Sequence, residues 1–217
     1  MSNDNEPIWK SAGTARRNFV VSGYEEGGDR EDWTDKLPPG VVDKSISLLL
    51  TEGVLPKPTK EEVKIVIFST SSNTGVFESK LKEELGEKYQ VIASDLASLS
   101  RRADGKQQNL QADAFLPPLS HGSVNVIFDR RGALWHTSNV NEPLSHPSRA
   151  KQLLEIYRQK LKAGGVLIVD NDVGWDASTA DLMAELGIDK PAGFSEPVVV
   201  GEKGCRYQVY TKLSKEI

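Results

Sequence analysis

Two kinds of apolar run alternate along the chain. Val63 to Phe68 is unbroken and rich in β-branched residues, the pattern of a strand covered on both faces. Phe77, Leu81 and Leu85 then recur every four residues, which predicts a helix ending at Gly86. "YQVIASD" predicts a second strand, "QNLQAD" a short third and "SVNVIFD" a buried fourth. Ala150, Leu153, Leu154, Tyr157 and Leu161 form the next helical stripe, followed by the strand "GGVLIVD" and the helix "ASTADLMAELG". The closing "EPVVVGEKGCRYQVYTKL" reads as two extended runs around a glycine-containing turn, a hairpin. Strands alternating with helices imply an α/β fold, doubly wound, with a mostly parallel sheet and helices on both faces.

Ahead of this alternation, "LPPGVVDKSISLLLTEGVLPKP" predicts a helix started by Pro39 and closed near Gly53, with Val42, Ile46 and Leu49 on one side. The proline-punctuated "LPKPTKEE" reads as a linker. The polar, aperiodic opening segment reads as an arm or a cap that orders over a ligand. The expected division is therefore an N-terminal arm and cap helix over residues 1–60 and a main α/β domain over residues 61–217.

Composition narrows the function classes. Hydrophobic residues make up 38% and charged residues 27% of the chain, as in soluble globular proteins. The net charge of -4 disfavours nucleic acid as a partner, because such binders carry a basic footprint. Cys205 is the single cysteine, so no internal disulfide forms and a reducing compartment is expected. "MSNDNEPIWKSAG" lacks an apolar signal core and no stretch matches a membrane span, which points to a cytoplasmic protein with no membrane partner. The oligomeric state is not legible here.

In sheets of this kind ligands bind beyond the carboxyl ends of the strands. Those ends read "STSSNTG" after the first strand, Asp95 after the second, Asp113 after the third, Asp129 after the fourth, and Asp170 to Asp172 after the fifth. A carboxylate in such a place often caps the next helix. Four successive acidic ends together suggest a ligand with hydroxyls and donor nitrogens. Asp95 stands twenty residues after Gly75, the spacing at which an acid receives ribose hydroxyls.

On these motifs the chain from about Glu62 onward resembles the class I S-adenosylmethionine-dependent methyltransferases. "LKAGGVLIVD" is similar to the family's helix end, glycine turn and fifth strand, and "QADAFLPPLSHGSVNVIFD" to its segment from the adenine-contacting acid into the fourth strand. The closing hairpin is similar to its sixth and seventh strands. The resemblance implies a Rossmann-like, seven-stranded sheet with an antiparallel last strand, S-adenosyl-L-methionine as cofactor, and methyl transfer to a small or medium-sized acceptor. It implies that the turn holding Ser69, Thr70, Ser71, Asn73 and Gly75 wraps the methionine end. Asp95, with Leu96 beside it, would hold the ribose, and Asp113 with Ala114 would face the adenine. Asp129 would lie beside the reacting sulfonium. Where the family's turn carries an acid and three glycines, this chain has Ser69, Ser71, Asn73 and Gly75.

Two subfamily echoes compete. "FDRRGALWH" is similar to a segment of thiopurine-type methyltransferases, and "GGVLIVDNDVGW" to one of cation-dependent O-methyltransferases. The second would make Asp129, Asp170 and Asn171 ligands of a divalent cation. The lysine expected after the first ligand is missing, so a metal is not favoured. A base assists when the acceptor is a hydroxyl or a protonated amine, and His136 and Asp172 are the candidates, with His136 expected in a loop. Trp135 and Trp175 follow the strand ends as either loop anchors or walls of an acceptor pocket. The alternative to an enzyme is a non-catalytic, methyltransferase-like binding or scaffold module.

Overall fold

The computed structural model describes residues 40–70, 76–95, 108–112, 114–139, 145–172 and 177–214. In chain order the elements are α1 (Val41–Thr51), β1 (Ile65–Ser69), α2 (Val76–Leu85), β2 (Tyr89–Asp95), β3 (Gln108–Gln111), β4 (Val124–Asp129), α3 (Ala133–Ser138), α4 (Pro147–Lys160), β5 (Leu161–Asp172), α5 (Thr179–Glu185), β6 (Val198–Glu202) and β7 (Cys205–Thr211). The strands form one sheet of seven in the order β3-β2-β1-β4-β5-β7-β6. β1 to β5 run parallel, and β7 is antiparallel to both its neighbours.

Alternation along the buried strands sends side chains to two cores, one on each face of the sheet. Ile127, Leu167, Val169 and Tyr210 join Ala150, Leu153, Leu154 and Tyr157 of α4 and Ala180 and Met183 of α5 on one face. Ile67, Val126, Phe128, Ile168 and Tyr207 join Val42, Ile46 and Leu49 of α1 and Phe77 and Leu81 of α2 on the other. The helical stripes read from spacing make these contacts, except that Leu161, expected as the last residue of the α4 stripe, is extended and opens β5, where it pairs with Val124.

Helix ends follow local chemistry. Pro147 opens α4 and the side chain of His146 accepts from the Ser148 amide, so His146 is a cap. Ser178 and Asp181 form a reciprocal capping box at the start of α5.

Several elements differ from the sequence expectation. β1 begins at Ile65, where pairing with Tyr89 of β2 starts, and Val63 stays 69% exposed ahead of it. β5 runs on through Asp172, because Arg206 of β7 still pairs there after a register shift. His136 and Trp135 are not in a loop but on α3, a helix of 6 residues, too short to leave a periodic signal. Among the described residues, no helix is long and apolar enough to cross a membrane.

Candidate active site

The strand order reverses between β1 and β4. From β1 the chain builds outward through β2 and β3, and from β4 it builds the other way through β5. Such a switch point opens a crevice at the carboxyl ends of the two central strands. Ser69 and Thr70 stand at the end of β1, and Asp129 and Arg130 at the end of β4.

Asp129 is fully buried. Its Oδ2 accepts from the Tyr157 hydroxyl at 2.7 Å, the Thr70 hydroxyl at 2.9 Å and the Leu134 amide at 3.1 Å. Its Oδ1 accepts from the Gly132 amide at 3.0 Å. Burial pushes this carboxyl from the ordinary 3.8 up to about 6, opposed by the hydrogen bonds of Tyr157, Leu134 and Thr70 and reinforced by the charge of Asp170. With every bond directed into the protein, the geometry makes Asp129 the support of the turn that follows β4.

That turn is tight. Arg131 adopts a left-handed backbone, φ 48, and its amide donates to Asp170 Oδ1 at 2.7 Å. A Cβ on Gly132 would come within 2.6 Å of Asp129 Oδ1 and 2.7 Å of Thr70 Oγ1, so only glycine lets the chain pass this close. Asp170, also buried, takes the Thr179 amide at 3.1 Å and the Thr179 hydroxyl at 2.5 Å. It therefore caps α5 while fixing Arg131. Both carboxylates at this edge are committed to the protein's own donors. Among the described residues, no group of three His, Cys, Asp or Glu side chains is placed to hold a metal ion.

On the β1 side of the switch point, the Ser69 hydroxyl donates to Glu78 Oε1 at 2.6 Å, and the Ser94 hydroxyl donates to the Ser69 carbonyl at 2.9 Å. Glu78 is in the first turn of α2 and only 3% exposed. An acid is thus present beside the end of β1, supplied by the helix rather than by the strand. The Phe77 ring, next to it, stacks on Phe128 at 5.0 Å, and the Arg130 guanidinium lies over Phe77 at 4.5 Å. Burial pushes the Tyr207 phenol up to about 12, and the charge of Arg130 is the strongest influence pulling it down. Arg130 thus sits on the α1–α2 face, above an aromatic floor.

Thr70 and Asp129 are brought together, and Ser69 precedes Thr70 in the chain. Ala114 is half-buried against the core of the α4–α5 face. His136 packs edge-on against Trp135 with ring centroids 5.1 Å apart and is not among the groups bonded to Asp129. Asp172 accepts from the Gly204 amide at 2.9 Å, which ties it to the β6–β7 turn. The Trp135 indole donates to the Ala177 carbonyl at 3.0 Å and carries the Arg131 guanidinium over its ring at 5.1 Å, the behaviour of an anchor. Ser71, Asn73, Gly75, Leu96, Asp113, Trp175 and the side chain of Asp95 lie outside the described residues.

Sequence reasoning overlooked Glu78, Gly132, Arg130 and the hydroxyl of Tyr157. Tyr157 carried a signal, since a phenol in an apolar stripe needs a partner for its hydroxyl. Glu78 and Arg130 carried no such signal.

No protein-family model matches the chain, and no curated protein does. Solved structures resemble it. The 1,6-didemethyltoxoflavin-N1-methyltransferase of Burkholderia thailandensis, solved with 1,6-didemethyltoxoflavin and S-adenosylhomocysteine, aligns over 99% of this chain and 94% of its own, with a TM-score of 0.56 and 17% identity. A SAM-dependent methyltransferase from Aquifex aeolicus aligns over 86% of this chain and 100% of its own, with a TM-score of 0.53 and 17% identity. The magnesium protoporphyrin IX methyltransferase of Synechocystis, solved with bound SAM, aligns over 98% of this chain and 100% of its own, with a TM-score of 0.50 and 14% identity. At such identities the likeness is one of architecture, and it singles out no subfamily. The chain has the fold of the class I S-adenosylmethionine-dependent methyltransferases.

Proposed function

We propose that this protein is an S-adenosylmethionine-dependent methyltransferase that acts on a small or medium-sized acceptor in the cytoplasm. The observation that carries the reading is the built switch point: a buried Thr70–Asp129 pair, pinned by Tyr157 and Gly132, at the carboxyl ends of β1 and β4 where the strand order reverses. The residues present fit the cofactor. Glu78 offers a buried carboxylate beside the end of β1 for an ammonium group, and the amides of the first α2 turn suit a carboxylate. Ser69, Thr70, Ser71, Asn73 and Gly75 would wrap the methionine end, Asp95 and Leu96 the ribose, and Asp113 with Ala114 the adenine.

When bound, S-adenosylmethionine supplies a methyl group on a sulfonium with a neutral leaving group. The protein's share is to orient the acceptor for in-line displacement and to exclude water. Asp129 contributes by holding the turn rather than by touching the acceptor. Asp172 is engaged by the hairpin turn, so His136, on the short helix after the Gly132 turn, is the favoured base where the acceptor needs one.

Calorimetric titration with S-adenosylhomocysteine tests this. Binding in the micromolar range that is lost in Asp95→Ala is the expected result. Absence of heat with the wild-type protein at millimolar ligand would overturn the proposal.

A further inference from the structure

We infer that Arg130 is the anion receptor of this crevice, taking a carboxylate or phosphate group of the bound ligand. The inference deepens the methyltransferase reading and rests on it for the place where ligand sits. Arg130 directly follows β4 at the switch point, and its side chain crosses to the first turn of α2, where the guanidinium lies 4.5 Å above the Phe77 ring. One face of the guanidinium is thereby covered. Its Nη1 is shut off from solvent, and among the described residues nothing accepts from it. A buried charged donor without an acceptor is costly, and proteins rarely keep one without a use.

The two acids at the β4–β5 edge do not serve it. Asp129 is taken by Tyr157, Thr70, Leu134 and Gly132, and Asp170 by Arg131 and Thr179. A guanidinium braced on a ring presents its N–H edge in a planar fork, which matches the paired oxygens of carboxylate and phosphate. Two sources supply such a group: the amino-acid end of the cofactor, or an anionic acceptor.

The test measures binding to the wild-type protein, Arg130→Gln and Arg130→Lys. The probes are S-adenosylhomocysteine, 5′-methylthioadenosine (which lacks the amino-acid end), and phenyl phosphate and 4-hydroxybenzoate added over saturating S-adenosylhomocysteine. Arg130 is only partly buried, so both variants are expected to melt with the wild type. If the receptor takes the cofactor's carboxylate, Arg130→Gln weakens S-adenosylhomocysteine by about tenfold or more, the scale of a lost charge-assisted hydrogen bond. In that case 5′-methylthioadenosine is unaffected and Arg130→Lys recovers part of the loss. If it takes an acceptor's anion, S-adenosylhomocysteine is unaffected, while an anionic probe binds the wild type in a salt-sensitive manner and fails to bind Arg130→Gln. Affinities within about twofold across all probes would overturn the inference. Should neither nucleoside bind the wild type, the methyltransferase reading fails. The anionic probes, added alone, then decide Arg130, and equal or absent binding in wild type and variant counts against it.

Discussion

A carboxylate taken out of water keeps its charge only while donors replace the lost hydration. Asp129 has Tyr157, Thr70, Leu134 and Gly132 for this purpose, and burial still outweighs them, leaving its carboxyl at about 6 against an ordinary 3.8. The consequence for stability has a definite sign. Because the folded value is the higher one, the native state holds a proton that the unfolded chain has released between roughly pH 4 and 6. The contribution is complete below the unfolded value and is lost as pH rises through about 6. Urea unfolding of wild type and Asp129→Asn across pH 4 to 7 checks this. The wild-type advantage should shrink by about 3 kcal/mol, in order of magnitude, over that window and level off above it. A difference that grows with pH would mean that the donors dominate instead.

At the scale of elements, α5 is held at its start by two devices. Ser178 and Asp181 close the capping box, and Asp170 accepts from Thr179. Ser178→Ala should lower the unfolding free energy by about 1 kcal/mol, and Ser178→Gly by only a few tenths, readable as a shift in urea midpoint at constant slope. Elements of this kind were largely legible in the sequence. The stripes Phe77, Leu81 and Ala150, Leu153, Leu154, Tyr157 are buried as spacing requires, and the terminal hairpin forms. Buried strands and amphipathic helices imprint a period, so pattern recovers them. The site was less legible, because its parts meet across the fold. Glu78 comes to Ser69 over nine residues and Tyr157 to Asp129 over twenty-eight, and no local pattern announces either pair. Asp129 and Asp170 were visible as acids at strand ends. What the sequence could not show is that their oxygens face inward. His136 was expected in a loop for a simpler reason: a helix of 6 residues completes too few turns to show an apolar face.

Across the molecule as a whole, α1 shares one core with the sheet. Val42, Ile46 and Leu49 pack with Ile67, Phe128 and Tyr207, and beneath them the Tyr207 hydroxyl donates to Ser45 Oγ at 2.8 Å. Cooperative unfolding should therefore include this helix. Ile46→Ala is expected to destabilise the protein by about 2–4 kcal/mol, with tryptophan fluorescence and far-UV circular dichroism moving together. Separate transitions would show instead that α1 opens by itself. The bond from Tyr157 to Asp129 has a different reach. It joins a helix packed behind the sheet to the turn at the end of β4, so sensitivity to substitution does not fall off with distance from the switch point. A library that varied only the residues at the strand ends would pass over position 157, where removing a single oxygen atom leaves the β4 turn short of a tie.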